Sequence, residues 1–274
     1  MIKRYLPVNR RDFLVQSSAL AVASLLPQHL SAEEAQQSTN ANPEFKIPTR
    51  DTSLKFNPDG SLRPFAGNTV ICHLPAQCAM RDGMIELRNT LAAAPFHRKM
   101  VLTPPDSYHM TVFPGANDLD RMVTGWPSYV PADAPIEACT QLVGQRMAAA
   151  RIKGELPLRV RLDQGRTLSD RTANTLRMVP VDSGENVKLR SIRDQISDVY
   201  GFRLKSHDAY QFHITMSYTI APFTEEEQRA YREILRVHLK RVADAEPVLE
   251  LGVPEYCTFT DIFRFDPQQL LVWS

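Results

Sequence analysis

Two short segments of this sequence combine residue types that could carry out acid-base chemistry on a phosphate. Residues 108–113, YHMTVF, and residues 212–218, FHITMSY, each contain a His-x-Thr motif within a strongly β-forming run. Because side chains alternate along a β-strand, the histidine and the threonine of each motif lie on one face, opposite a face of apolar side chains. The four candidate residues are His109, Thr111, His213 and Thr215.

The same alternation predicts where the neighbouring side chains lie. Phe113 is expected on the polar face of the first strand and Ser217 on that of the second, whereas Tyr218 is expected on the core face of one long strand over residues 210–220. Phe113, Tyr218 and Tyr210 could instead stack on a nucleobase, although packing in the core is favoured.

Paired histidines suit the hydrolysis of a phosphodiester. One imidazole takes a proton from water while the other protonates the leaving oxygen, and histidine can do either near neutral pH. Hydroxyl groups two residues along each strand, about 7 Å away between Cα atoms, can donate hydrogen bonds to the non-bridging oxygens. This chemistry needs no metal ion, and the sequence leaves open which of His109 and His213 is the base.

Two other interpretations of the motifs stay open. The protein could be an exported module that binds a phosphate or nucleotide without turning it over. The two histidines could also be ligands of a catalytic metal, although neither motif contains a carboxylate and catalytic zinc usually has three protein ligands. Four further histidines are interpreted as structural or surface residues: His73, His97, His207 and His238. Three basic residues could supply positive charge near a phosphate, although a solvated surface position is favoured: Lys99, Arg203 and Lys205.

The elements around the motifs follow a similar order in two halves of the chain. Hydrophobic periodicity, β-branched runs and turn residues predict each element, and Thr224 with Glu227 predicts a capping box at the start of the last helix. The predicted strands cover residues 69–74, 108–113, 156–162, 176–181, 210–220, 256–259 and 270–273, and the predicted helices cover residues 80–94, 187–200 and 224–242.

On these motifs and this order of elements, residues 68–274 resemble the 2H phosphoesterase superfamily of LigT-like cyclic phosphodiesterases, which carry one His-x-Thr/Ser motif on a central strand of each of two lobes. The resemblance implies an α+β fold of two pseudo-symmetric lobes, each with an antiparallel sheet and packed helices, facing each other across a groove. It implies that His109 and His213 are the catalytic pair and that Thr111 and Thr215 bind the substrate phosphate. A 2′,3′-cyclic nucleotide or a short oligonucleotide cyclic phosphate is the implied substrate, with no cofactor.

The overall composition is that of a soluble globular protein. The 274 residues include 32 Lys and Arg against 31 Asp and Glu, a formal net charge of +1. This balance argues against a protein that coats long nucleic acid, which requires many phosphate contacts, and favours a small phosphodiester or short nucleotide as the ligand. We also expect the protein to be a monomer. Four cysteines lie too far apart for a CxxC metal site, and both buried thiols and disulfides are open. They are Cys72, Cys78, Cys139 and Cys257.

The N-terminal region is typical of an export signal. A basic stretch that ends in Arg10 and Arg11 precedes a mostly apolar segment over residues 13–26, which is too short for a membrane span. Residues 9–14, NRRDFL, resemble the twin-arginine export signal of bacteria. We therefore expect a signal peptide over residues 1–32, a linker and irregular leader over residues 33–67, and a periplasmic or secreted domain over residues 68–274 with no stable membrane association after cleavage.

Overall fold

The computed structural model describes residues 46–119, 121 and 125–274. The predicted signal peptide and the first part of the predicted linker lie outside these residues. In chain order the described elements are α1 (Arg50–Lys55), β1 (Gly67–His73), α2 (Ala79–Ala92), β2 (Met100–Leu102), β3 (His109–Phe113), α3 (Ile136–Ala149), β4 (Leu158–Leu162), α4 (Gln164–Ser169), β5 (Thr175–Pro180), α5 (Ser183–Tyr200), β6 (His213–Thr215), β7 (Ser217–Thr219), α6 (Glu225–Ala245), β8 (Leu249–Leu251), β9 (Glu255–Phe259) and β10 (Asp266–Leu270).

The two motif strands are neighbours at the centre of one antiparallel sheet. Eight strands pair in the order β10-β9-β1-β3-β6-β5-β4-β8, and β2 pairs with β7 in a separate ribbon. Each motif strand therefore has three further strands on its outer side, one set per lobe. This arrangement confirms the predicted α+β fold with antiparallel sheets, and the β3–β6 pair joins the two lobes into one continuous sheet.

Helices cover one face of this sheet and form the main core with it. The helical spacing of Met80, Met84, Leu87 and Leu91 places all four side chains of α2 against the sheet and α6, where each is almost fully buried. Full burial of an apolar side chain of this size contributes about 1.5–3 kcal/mol. The predicted capping box of α6 is confirmed: Thr224 Oγ1 accepts from the backbone N–H of Glu227, and Glu227 accepts from that of Thr224.

The prediction for Phe113 is wrong because β3 contains a bulge. The register with β1 pairs Ile71 with Thr111 but Val70 with Phe113, so Val112 is an extra residue. A bulge reverses the facing of the side chains that follow it. Phe113 consequently packs in the helix-covered core, with its ring stacked on Tyr200 at 4.8 Å between centroids.

The predicted strand over residues 210–220 is also wrong, because the chain breaks at Met216. The carbonyl oxygen of Asn174 accepts from the backbone N–H groups of Met216 at 2.9 Å and of Ser217 at 3.2 Å. β6 stays in the main sheet while β7 pairs with β2. After the break Ser217 is buried and donates to Asn174 Oδ1, and Tyr218 faces the open side of the sheet, the reverse of the predicted facing.

The leader is more ordered than predicted. Thr49 caps α1 by accepting from the backbone N–H of Thr52. Beyond α1, the Phe56 ring packs 5.0 Å from that of Tyr218, and the Phe65 ring stacks 6.1 Å from that of Phe259. These residues cover apolar parts of the sheet face that the helices leave open.

Several other elements depart from the prediction. Helices α3 and α4 and strands β2 and β8 are absent from it. The elements α4, β2 and β8 are short, whereas the buried residues Ile136, Cys139, Val143 and Met147 of α3 recur at helical spacing, a local signal that the prediction omits. The last strand covers residues 266–270 rather than 270–273, and Trp273 instead forms an isolated bridge with Ile152.

Candidate active site

A pocket of about 380 Å³ lies on the open face of the sheet, over the junction of β3 and β6. All four residues singled out by the sequence line it: His109, Thr111, His213 and Thr215. The remaining wall consists of six polar or charged side chains, five aromatic ones, a proline and an isoleucine. These residues are Asp51, Lys55, Phe65, Thr69, Thr103, Ser107, Pro114, Asn117, Tyr210, Tyr218, Phe259, Ile262 and Phe265.

The strand register fixes how the four motif residues are arranged. Met110 pairs with Ile214 across the antiparallel β3–β6 junction, which places His109 opposite Thr215 and Thr111 opposite His213. The two histidines therefore lie on one diagonal, about 7–8 Å apart at the backbone, and the two threonines lie on the other. The two histidines and the two threonines can therefore contact a single phosphate group.

Both imidazoles are held in the same way. Nδ1 of His109 lies 2.7 Å from the carbonyl oxygen of Ser107, and Nδ1 of His213 lies 2.9 Å from that of Gln211. A carbonyl oxygen only accepts hydrogen bonds, so Nδ1 carries the proton in each ring. In the neutral form Nε2 is then the basic nitrogen, and it is the atom available to a ligand in the pocket.

The pocket walls lower the pKa of both histidines. Burial lowers the pKa of His109 to about 3, against the opposing effect of its bond to Ser107. Burial also lowers the pKa of His213, and the nearby Arg177 cation acts in the same direction. Both imidazoles are thus neutral at neutral pH in the empty pocket, and a bound phosphate anion would favour protonation of either one.

Two tyrosines, Tyr210 and Tyr218, line the pocket together with the two motif threonines. Burial raises the pKa of the Tyr210 and Tyr218 hydroxyls, and the nearby Thr111 and Thr215 respectively act in the opposite direction. Tyr210 in turn packs over the buried Arg193, whose guanidinium carbon lies 4.0 Å from the ring centroid. Arg193 also donates to the carbonyl oxygen of Val112, the bulged residue of β3, so one buried side chain supports both the bulge and the pocket wall.

A second cavity of about 340 Å³ adjoins the first on the β5 side. The two share the side chains of Asp51, Lys55, His213, Thr215 and Tyr218. The wall of the second cavity is otherwise polar. It is formed by Thr49, Thr52, Asp170, Thr172, Asn174, Thr175, Arg177 and Ser217.

Sequence analysis missed Lys55, Phe65, Phe259 and Phe265, which all line the pocket. Phe265 is the closest of them to a motif residue, with its ring 4.3 Å from that of His109. None of these residues belongs to a motif. Phe259 ends the predicted strand over residues 256–259, and the other three lie in segments for which the sequence predicts no regular element.

The other histidines and basic residues singled out from the sequence do not line this pocket. His97 and His238 bond to Ala94 and Thr90, and His207 is buried beside Asp194. Lys99 forms an ion pair with Glu227, and Arg203 forms one with Asp194 and Asp208. Lys205 is exposed.

Two groups of side chains among the described residues are close enough to share a metal ion. One consists of His73, Glu255 and Cys257, and the other of Asp194, His207 and Asp208. Neither contains His109 or His213. The ring of His73 lies 6.3 Å from that of His109, and its Nδ1 is 2.8 Å from Glu255.

The four cysteines, which the sequence left open, are free thiols, and burial raises the pKa of each. In the part of the chain that the structure describes, no helix combines the length and the apolar character needed to cross a bilayer.

The first motif lies in a segment that matches a known protein-family model. Residues 55–169, which include the first motif, match the 2H-phosphodiest family model, described as a domain of unknown function (DUF1868). The match supports the resemblance to 2H phosphoesterases that the two motifs predict. No curated protein matches the sequence.

Three solved structures are similar to this chain over more residues than the family model covers. The chain is similar to a conserved protein of unknown function from Agrobacterium tumefaciens, with 28% identity over 83% of this chain and 94% of that one and a TM-score of 0.73. Escherichia coli LigT in its apo form gives 11% identity, a TM-score of 0.40, and coverage of 77% and 99%. A further phosphoesterase gives 13% identity, a TM-score of 0.40, and coverage of 77% and 100%.

Proposed function

We propose that this protein hydrolyses a phosphodiester, with His109 and His213 as a general acid-base pair. The observation that carries the proposal is the matched pair of imidazoles. They sit on adjacent central strands, bond in the same tautomer to a carbonyl two residues upstream, and line one pocket. A match of a 2H-phosphodiest family model to residues 55–169 adds support.

The proposed reaction is an in-line displacement at phosphorus. Nε2 of one histidine removes a proton from the attacking water, and the water oxygen bonds to phosphorus. Nε2 of the other histidine, protonated when the anionic substrate binds, gives its proton to the leaving oxygen as the P–O bond breaks. Thr111 and Thr215 donate hydrogen bonds to the non-bridging oxygens, where negative charge accumulates.

The pocket favours a small substrate with a flat apolar group. Its volume of about 380 Å³ suits a mononucleotide. Phe65, Phe259 and Phe265 provide aromatic surface for a nucleobase. A 2′,3′-cyclic nucleotide or the cyclic phosphate end of a short oligonucleotide is therefore the proposed substrate, acted on by a monomer.

We also propose that the protein acts in the periplasm or outside the cell, on the basis of the twin-arginine pattern at residues 9–14.

The direct test is turnover of a panel of 2′,3′-cyclic and linear phosphodiesters in the presence of EDTA. We expect His109→Ala and His213→Ala each to lower kcat by about 10²- to 10⁴-fold. His97→Ala is the matched control, because its exposed imidazole is also bonded through Nδ1 to a backbone carbonyl but lies outside the pocket.

Three results would contradict the proposal. Loss of wild-type activity in EDTA would favour metal catalysis, and full activity in both histidine variants would remove their proposed roles. Saturable nucleotide binding without turnover of any member of the panel would favour the non-catalytic binding module.

A further inference from the structure

Lys55, the last residue of α1, brings a positive charge to the pocket from outside the two motifs. Its side chain is only 11% exposed, and Nζ lies 2.8 Å from Oδ2 of Asp51 and 3.5 Å from the hydroxyl of Tyr218. The ammonium also lies 5.3 Å from the ring centroid of Phe65 and 5.0 Å from that of Tyr218. The leader and β7 thus hold the side chain of Lys55 between them.

Lys55 lies where the two cavities meet. It lines both of them, together with His213 and Thr215. Among the described residues that line the first cavity it is the only lysine or arginine. Arg177 in the second cavity is already paired with Asp170.

The charge of Lys55 persists despite its burial and reaches both histidines. Burial alone would lower the pKa of Lys55, but the Tyr218 hydroxyl and the Asp51 carboxylate outweigh that effect and raise it. The lysine is therefore an ammonium ion at neutral pH. Its charge is one of the causes that lower the pKa of both His109 and His213.

This ammonium has capacity for a further acceptor. It carries three donors, whereas Asp51 and Tyr218 supply two acceptors among the described residues, and Asp51 is itself 64% exposed. A covered cation with an unused donor at the wall of a pocket is suited to an anionic oxygen, because the interaction of opposite charges strengthens as water is excluded.

We propose that Lys55 is a catalytic residue that binds a non-bridging oxygen of the substrate phosphate. This inference rests on the proposed function of the same pocket. The ammonium neutralises part of the charge that builds up on phosphorus oxygens as water attacks, and so adds to the hydrogen bonds from Thr111 and Thr215.

Binding of inorganic phosphate to the full chain tests this role without requiring turnover. Titrations in EDTA compare the wild type with Lys55→Met, Asp51→Asn and Lys240→Met. Lys240 is the matched control, because it also forms an i, i+4 pair with an aspartate, Asp244, but lies on the exposed face of α6.

We expect Lys55→Met to weaken phosphate binding by about 10- to 100-fold, the effect of losing one charged hydrogen bond. Asp51→Asn should tighten binding, because it removes a carboxylate that competes for the ammonium and repels the anion. Lys240→Met should bind as the wild type does.

The opposite effects of Lys55→Met and Asp51→Asn separate a binding role from a structural one. An ion pair that only braces the leader predicts the same loss from either change. Equal weakening in the two variants, unchanged affinity in Lys55→Met, or a wild type that does not bind phosphate would each overturn the inference. If Lys55→Met does not fold, Asp51→Asn still decides: tighter binding supports the inference, and unchanged or weaker binding contradicts it.

Turnover of the diester panel on the same samples separates this inference from the proposed function. Wild-type activity that is unaffected by Lys55→Met would overturn the role of Lys55 and leave the two-histidine proposal standing. Phosphate binding that depends on Lys55 in a protein that turns over no diester would support the site and contradict the hydrolysis.

Discussion

The bond from each imidazole to a backbone carbonyl sets both the tautomer and the direction of the ring. Ser107 and Gln211 supply these carbonyls from the same position in the two lobes. Since the motif histidines are thereby oriented by the backbone, neither needs a carboxylate partner to hold it. The neutral Nε2 of each ring is the basic nitrogen that the proposed removal of a proton from water requires.

Burial of His109 predicts a pH-dependent contribution to stability. Its pKa is lowered in the folded protein, whereas the unfolded chain has the ordinary value near 6.5. Below that pH the unfolded state binds a proton that the folded state does not, so the site destabilises the fold as pH falls. His109→Gln should therefore become more stable relative to the wild type on going from about pH 8 to about pH 5.

Urea unfolding at the two pH values measures this difference. The groups other than His109 that titrate in both proteins cancel in the comparison, and His97→Gln serves as the control on an exposed histidine. A difference between His109→Gln and the wild type that is the same at both pH values would contradict a lowered pKa.

The breaks in the two motif strands decide which side chains face the pocket. Both fall just after the threonine of a motif, at Val112 in β3 and at Met216 after β6. The first sends Phe113 into the core, and the second turns Tyr218 toward the pocket. Each lobe thereby keeps its histidine and threonine on the open face while the rest of the segment follows a different course.

The side chain of Asn174 stabilises the backbone at the second break, after Met216. Its side-chain oxygen accepts from Ser217 Oγ at 3.1 Å and from Thr219 Oγ1 at 2.9 Å. Asn174→Ala would leave two buried hydroxyls without this acceptor, so we expect a loss of about 1–3 kcal/mol in the free energy of unfolding. Ser217→Ala with Thr219→Val in the Asn174→Ala background should recover part of it, and thermal unfolding of the wild type, Asn174→Ala and the triple variant would show whether it does.

Local pattern was sufficient for some elements and insufficient for others. The β-branched run of β1, the 3.6-residue spacing of α2 and the capping box of α6 are local signals, and each predicted its element. The bulge in β3 depends on β1, and the break at Met216 depends on Asn174, which is 42 residues away in the sequence. The alternation of polar and apolar residues within β3 or β6 carries no information about β1 or Asn174.

At the scale of the whole molecule, the leader completes the site. Phe56 and Phe65 cover apolar surface around Tyr218 and Phe259, and Lys55 enters the pocket between them. The sequence of residues 46–66 predicts loops because of its Pro, Asp and Gly content. The leader packs against a sheet face, and the strands of that face come later in the chain, so its own residues do not reveal this contact.

Two shortened chains test the contribution of the leader. Residues 45–274 form one compact unit, so we expect a chain that starts at Lys46 to keep the unfolding temperature and the phosphate affinity of the longer protein. A chain that starts at Gly67 loses α1 and exposes two aromatic clusters, and we expect a lower unfolding temperature and lost phosphate binding. Equal behaviour of the two chains would show that the leader is dispensable.

The two histidines are proposed to act on opposite sides of one phosphorus atom, and the choice of leaving group tests this arrangement most directly. The measurement compares kcat/KM of His109→Ala and His213→Ala on a nucleoside diester and on a p-nitrophenyl diester. A p-nitrophenolate leaves without being protonated, so the variant that lacks the general acid should recover most of its rate, while the variant that lacks the base stays about 10²- to 10⁴-fold below wild type on both. Equal recovery of the two variants, or wild-type rates for both on the nucleoside diester, would contradict the paired acid-base account.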